Sequence, residues 1–180
     1  GLREKLYKER KLQKERLSLE EQKVLDLYVR TGASSLNGRL RRGELNDYYR
    51  KMARVLDSII KKSPGISEKT VVYRGGKFNQ AIRKGIIIID RGFVSTSVER
   101  QRATIFARGI ETDLIEIHLP KGQKYAIGAM RDLEYILPRD TKFKVTGVRP
   151  ITAEDMGTSE GGPTWTREYW PIRKVTLEVQ

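Results

Sequence analysis

Three short segments hold the side chains with chemical work in view. Tyr73-Arg74-Gly75-Gly76 puts an arginine at the end of an apolar run, directly before two glycines. A guanidinium forks onto a phosphate through paired N–H bonds, and glycines let the backbone come close. Gly92-Phe93-Val94-Ser95-Thr96-Ser97 lines up three hydroxyls, which hydrogen-bond a sugar or orient a carboxylate. Asp132-Leu133-Glu134 offers two carboxylates at i and i+2. On one extended strand they would point to opposite faces; with Asp132 still in the preceding loop, both can turn into one cleft. A forked cation, hydroxyls and a carboxylate are what a site needs to hold a dinucleotide and stabilise positive charge at a ribose C1′.

The spacing of apolar residues predicts the elements that position these segments. Residues 2–16 are nearly all charged or long-chain, with Leu2, Leu6, Tyr7 and Leu12 as a thin apolar stripe. That pattern predicts a solvated helix or arm outside the core. Ser18-Leu19-Glu20-Glu21 is a capping box and opens a helix that turns Val24, Leu25, Leu27 and Tyr28 inward and stops near Thr31-Gly32. A polar turn follows. From Glu44 to Lys61, Leu45, Tyr48, Tyr49, Met52, Val55, Leu56 and Ile59 repeat at helical spacing until Pro64-Gly65. Beyond Thr70 the texture changes. Short β-branched or aromatic runs at 71–73, 93–94, 114–119, 135–137, 142–148 and 174–179 predict strands, with one helix over about 99–108. Residues 150–168 read as a long loop containing Gly161-Gly162-Pro163. Helices first and mostly antiparallel strands second give an α+β class.

Composition excludes several functions. The 180 residues include no cysteine and one histidine, His118, so disulfides, thiolate metal sites, a cysteine nucleophile and a histidine-based triad are not expected, and no metal is implied. No apolar run approaches the ~20 residues of a membrane-spanning helix. The charged start lacks an apolar stretch and predicts no signal peptide; beginning at Gly1, the chain reads as an excised piece of something longer. The net charge is +13, with 17 basic against 9 acidic residues in 1–62. Such an excess favours anionic partners: nucleic acid, nucleotide phosphates or an acidic protein. His118 in an alternating strand reads as structural. Trp165, Tyr169 and Trp170 are expected to pack against a sheet more than to stack on bases.

In this order and spacing, Arg74, then Ser95-Thr96-Ser97, then Glu134 as the second acid of an acid-x-Glu motif, the sequence resembles the mono-ADP-ribosyltransferases of the Arg-Ser-Glu type. These include C3-like and other bacterial toxins and phage-encoded transferases. Tyr28 followed by Leu36-Asn37-Gly38-Arg39-Leu40-Arg41 is similar to the family's Ile-Asn-x-x-Leu-Arg helix start. Leu119-Pro120-Lys121-Gly122 resembles the turn before its target-recognition loop. Leu137-Pro138-Arg139 with the following Lys-Phe-Lys-Val strand resembles its sequel to the catalytic glutamate. The resemblance covers roughly residues 18–180.

It implies a helical N-terminal portion packed on a two-sheet, mostly antiparallel core with an NAD cleft, and transfer of ADP-ribose from NAD with loss of nicotinamide. Arg74 and Gly75, helped by Asn37 and Arg41, would hold the NAD phosphates. Thr96 and Ser97 would line the nicotinamide ribose, and Phe106, in a stretch matching the phosphate–nicotinamide loop, would pack on nicotinamide. Ser95 would orient Glu134. Glu134 would accept from the ribose 2′-hydroxyl and stabilise the oxocarbenium, and Asp132 would engage the attacking nucleophile. Tyr125 and Met130 are the larger apolar candidates for target recognition, in a 122–132 stretch that is short for such a loop.

Arginine-modifying members carry Glu-x-Glu and C3-like members Gln-x-Glu, whereas Asp132 is one methylene shorter than the former. A carboxylate still suits a guanidinium, so a protein arginine is the expected acceptor. The expected organisation is a basic helical arm over 1–17 and one transferase domain over 18–180. The enzyme is expected to act in a host cytoplasm after phage injection or toxin secretion. The competing reading is a basic nucleic-acid-binding module with a degenerate transferase site.

Overall fold

Periodic apolar spacing becomes four α-helices before residue 62 in the computed structural model, which describes residues 1–109, 111–157 and 167–180. Helix α1 is Leu2–Arg16. It departs from a fully solvated arm, because Leu6 is completely buried and Gln13 is buried as well. The charged residues around those two hide the inward contact from a reading of hydropathy. Helix α2, Leu19–Leu27, starts on the Ser18 cap, whose hydroxyl accepts from Glu21 N while Glu21 Oε1 accepts from Ser18 N.

The next segment differs from expectation. A π-helical turn, Tyr28–Gly32, runs directly into α3, Ala33–Arg42, where a polar turn was expected. Leu36 and Leu40, one turn apart, are both buried and anchor α3, and Gly43 ends it with φ +70. Helix α4, Asp47–Lys61, is capped by Asn46, whose side chain accepts from Tyr49 N. Leu36, Leu56, Ile59, Phe93 and Ile136 belong to one buried apolar cluster with Tyr28.

The strands are β1 (Thr70–Gly76), β2 (Ile87–Asp90), β3 (Val94–Ser97), β4 (Asp113–Leu119), β5 (Ala126–Ile127), β6 (Glu134–Leu137), β7 (Thr141–Pro150) and β8 (Arg173–Val179); α5 is Arg100–Phe106. Their hydrogen-bonded order is β2-β7-β8-β4-β1-β3-β6-β5. Pairing is antiparallel for β1–β3, β1–β4, β5–β6 and β7–β8, and parallel for β4–β8. The class is therefore α+β with a mostly antiparallel sheet. Strands β2 and β5 go beyond the sequence reading: β2 lies in an apolar run without alternation, and β5 has two residues.

The chain forms two compact units. The first comprises Gly1–Glu68, Ile89–Ser95 and Lys121–Thr141, and the second Lys69–Ile88, Thr96–Pro120 and Lys142–Gln180. Strand β3 contributes Val94 and Ser95 to the first unit and Thr96 and Ser97 to the second. Residues 161–163 and Trp165 lie outside the described residues. Trp170 is buried, and Tyr169 is exposed with the Arg108 guanidinium over its ring.

Candidate active site

In the first unit, Glu134 opens β6 directly after a 3₁₀ turn, Met130–Asp132, and the left-handed residue Leu133 (φ 48). Leu133 is buried, which anchors this unusual backbone conformation. Asp132 therefore lies on the turn and not on the strand, which removes the strict opposite-face relation of an i, i+2 pair. The Glu134 carboxylate accepts from Ala129 N–H through Oε1 at 2.9 Å. Backbone bonds Glu134 N to Ala129 O and Gly128 N to Glu134 O close the same loop. A Cβ on Gly128 would stand 2.0 Å from Glu134 Oε1, so glycine is needed there for the carboxylate to sit where it does.

Helix α1 grips this hairpin from the other side. The Gln13 amide pairs twice with Ile127, Nε2 donating to its carbonyl at 3.0 Å and Oε1 accepting from its N–H at 2.8 Å. It thereby takes the place of a neighbouring strand for β5. Arg3 Nη1 donates to Met130 O. Tyr125 and Tyr135 stack at 4.2 Å, and both hydroxyls donate to Glu9 Oε2. Burial, together with the Glu9 charge, pushes the Tyr125 hydroxyl up to about 12, so it stays protonated and a donor.

Tyr125 is thus tied to Tyr135 and Glu9, and Met130 is 8% exposed. The exposed side chain of that turn is Arg131. Gln13, Glu9, Gly128 and Arg131 escape sequence reasoning. Gly128, a small residue six before the glutamate, offered the only signal.

A second network reaches Ser95. Asn37 is buried, with Oδ1 accepting from Phe93 N at 2.8 Å and Nδ2 donating to the Tyr28 hydroxyl at 3.0 Å. That hydroxyl shares a 3.0 Å bond with Ser95 Oγ. Arg41 forks onto Asp90 at 3.0 and 3.2 Å. The polar groups of Asn37 and Arg41 thus engage protein partners and fix the segment that leads into β3.

In the second unit, Arg74 stands on β1 opposite Ile115 of β4. A Cβ on Gly75 would lie 2.2 Å from Ala107 N, and one on Gly76 would lie 3.3 Å from Arg74 Nε. Glycine here lets the end of α5 approach the strand and leaves room beside the guanidinium. Thr96 and Ser97 are buried, and Ser97 Oγ accepts from Glu99 N. Phe106, the last residue of α5, is 54% exposed. His118 on β4 is exposed and lies 2.7 Å from Glu116.

The model of the ADP-ribosyltransferase exoenzyme family matches residues 3–161. By sequence, no curated protein matches the chain. Among solved structures, the chain is similar to Plx2a, an ADP-ribosyltransferase toxin from Paenibacillus larvae, with 25% identity and a TM-score of 0.74, covering 99% of this chain and 96% of that one. It is also similar to C3larvin toxin, an ADP-ribosyltransferase from the same organism, with 23% identity and a TM-score of 0.69 over 94% of this chain and 99% of the other. Exoenzyme S from Pseudomonas aeruginosa, solved with human 14-3-3 protein beta and bound to carba-NAD, gives a TM-score of 0.65 at 19% identity, over 88% and 72%.

Proposed function

Because the chain belongs to the ADP-ribosyltransferase exoenzyme family, and is as such an NAD-dependent mono-ADP-ribosyltransferase, we propose that it modifies an arginine side chain of a host protein. The observation that carries this reading is the fixed carboxylate of Glu134, with Asp132 on the turn just before it. When NAD is bound, cleavage of its nicotinamide–ribose bond supplies the electrophilic C1′.

The protein's part is division of labour. Arg74 holds phosphate oxygens as a fork, and Gly75 lets the backbone come close. Glu134, pre-set by Ala129 N–H, accepts from the ribose 2′-hydroxyl and stabilises positive charge as it develops. Ser95, held by Tyr28 and through it by Asn37, orients that carboxylate. Asp132 takes the incoming guanidinium, aligning it and drawing off its proton. Thr96 and Ser97 support the ribose, and Phe106 covers the nicotinamide. Among the described residues no helix is long and apolar enough to cross a membrane. We assign the enzyme to toxin action inside a host cell, since the structural relatives are toxins by name.

The test is transfer from labelled NAD into host-cell lysate, with free nicotinamide measured in parallel. Glu134→Gln should lose both activities by roughly 10²–10³, the usual loss for a preorganised electrostatic stabiliser. Asp132→Ala should lose transfer but keep NAD hydrolysis. Peptide mapping should place ADP-ribose on arginine. Label on another residue type would overturn the acceptor assignment, and an undiminished Glu134→Gln would overturn the catalytic one.

A further inference from the structure

The first unit carries an open groove of about 970 Å³ that the chemistry above does not use. One wall is α1, another is α2 with the π turn, and the end is formed by Ile127, Gly128, Ala129, Met130 and Arg131. Leu17, Leu25, Val29, Ile127 and Met130 give it an aliphatic lining. Around them stand Arg10, Lys11, Lys14, Lys23 and Arg131. The carboxylate of the groove, Asp26, is already spent on Arg30 at 2.8 Å. Arg131 has Asp132 at 3.5 Å, whereas Arg10, Lys11, Lys14 and Lys23 meet no carboxylate among the described residues.

We propose that this groove docks an acidic, leucine-rich segment of the protein substrate. Charge complementarity selects the acid, because four unmatched cations in one trough favour a polyanion. The aliphatic lining selects a peptide over a nucleic acid, since bases are held by stacking on aromatic rings and Tyr7 is the aromatic residue present. Position gives the docking a purpose. The loop forming the end of the groove is the one whose Ala129 N–H holds Glu134 and whose next residue after Arg131 is Asp132. A substrate segment seated here leads toward the carboxylates and raises the local concentration of the acceptor beside them. The proposal rests on the transferase reading and deepens it by naming the chemistry of the partner.

The probe is a fluorescein-labelled 16-residue peptide alternating Glu and Leu pairs, measured by fluorescence anisotropy against the full chain without NAD. Controls are the same peptide with Lys for Glu and a single-stranded oligonucleotide of equal charge. The acidic peptide should bind, and binding should weaken as ionic strength rises. The variant Lys11→Glu/Lys14→Glu/Lys23→Glu should weaken it at least tenfold. A variant Lys61→Glu/Lys69→Glu/Lys121→Glu, equal in charge change but away from the groove, should leave it within about twofold. NAD hydrolysis by the groove variant should match the unaltered chain.

Equal weakening by both triple variants would overturn the proposal, because net charge and not the groove would then do the binding. Tighter binding of the oligonucleotide, lost in the groove variant, would also overturn it and assign the groove to nucleic acid. If the unaltered chain binds the peptide through the groove yet releases no nicotinamide from NAD, the ligand class of the groove stands and the transferase reading falls instead.

Discussion

Glu134 of the first unit is held by hydrogen bonds, whereas Arg74 of the second stands on a strand shaped by close backbone approach. The glutamate has Ala129 N–H on its carboxylate and two further backbone bonds closing its loop. Behind that loop, the buried amide of Gln13 completes the edge of β5. The arginine is on a paired strand and is followed there by two glycines, where Ala107 and Phe106 leave no room for a Cβ on Gly75. A carboxylate that must meet developing charge needs a fixed position before the reaction begins. A cation that grips a phosphate needs space and a flat fork. The contrast predicts that damage in the first unit appears in kcat and damage in the second in the KM for NAD.

The strongest test of that contrast is Gly128→Ala. The added methyl carbon would lie 2.0 Å from Glu134 Oε1, so the carboxylate must move. Misplacing a catalytic group by about 1 Å costs on the order of 10²-fold. The expected result is a kcat for NAD hydrolysis about 100-fold lower with KM for NAD nearly unchanged, read by nicotinamide release. A rise in KM at constant kcat would break the comparison. Next in size is Arg74→Lys, which keeps the charge and removes the fork. It should raise KM for NAD about tenfold and leave kcat within a few-fold; the opposite split would make Arg74 part of the reacting centre.

The sequence makes the two halves legible to different degrees, and for physical reasons. Arg74 stands out beside two glycines, Ser95 in a run of hydroxyls and Glu134 as the second acid of Asp132-Leu133-Glu134, because each looks unlike a packing pattern. Strands with alternating or β-branched runs and the long amphipathic α4 are equally visible. Helix α3 is not, because Leu36 and Leu40 are two apolar residues in a polar stretch, and what holds them is the tertiary cluster around Tyr28. The supports of the site are the least visible part. Gln13 lies among charged residues on α1, and its role depends on a strand 114 positions away. Asn37 and Arg41 resemble ligands by residue type, and their partners, Phe93, Tyr28 and Asp90, show that they brace protein as well. Residue type reports what a side chain is able to bind; long-range contact decides what it binds.

The smallest catalytic effect is expected at Glu21, which sharpens the comparison by moving stability alone. This buried carboxylate joins α2 to α4, accepting from Ser18 N at 2.8 Å, Ser58 Oγ at 2.8 Å and Lys62 Nζ at 2.6 Å. Burial works to raise its pKa, but Lys62, the Ser18 amide and the Ser58 hydroxyl outweigh it and hold the group at about 2. An unfolded glutamate titrates near ~4.3. The folded value lies below the unfolded one, so the ionised group stabilises the fold above about pH 5, and that contribution fades as pH falls toward 2. Glu21→Gln should lower stability at pH 7 by about 1–3 kcal/mol, the range for leaving buried partners unsatisfied, with kcat unchanged. It should also flatten the stability curve between about pH 5 and pH 2. Asp155 of the second unit is likewise held at about 2 against burial by the Arg149 fork and Thr152, so it supplies acid sensitivity of the same sign. Urea melts from pH 7 to pH 3 should therefore show part of the slope lost in Glu21→Gln and a further part lost when Asp155→Asn is added. An unchanged slope in Glu21→Gln would mean that the α2–α4 contact is already open in acid.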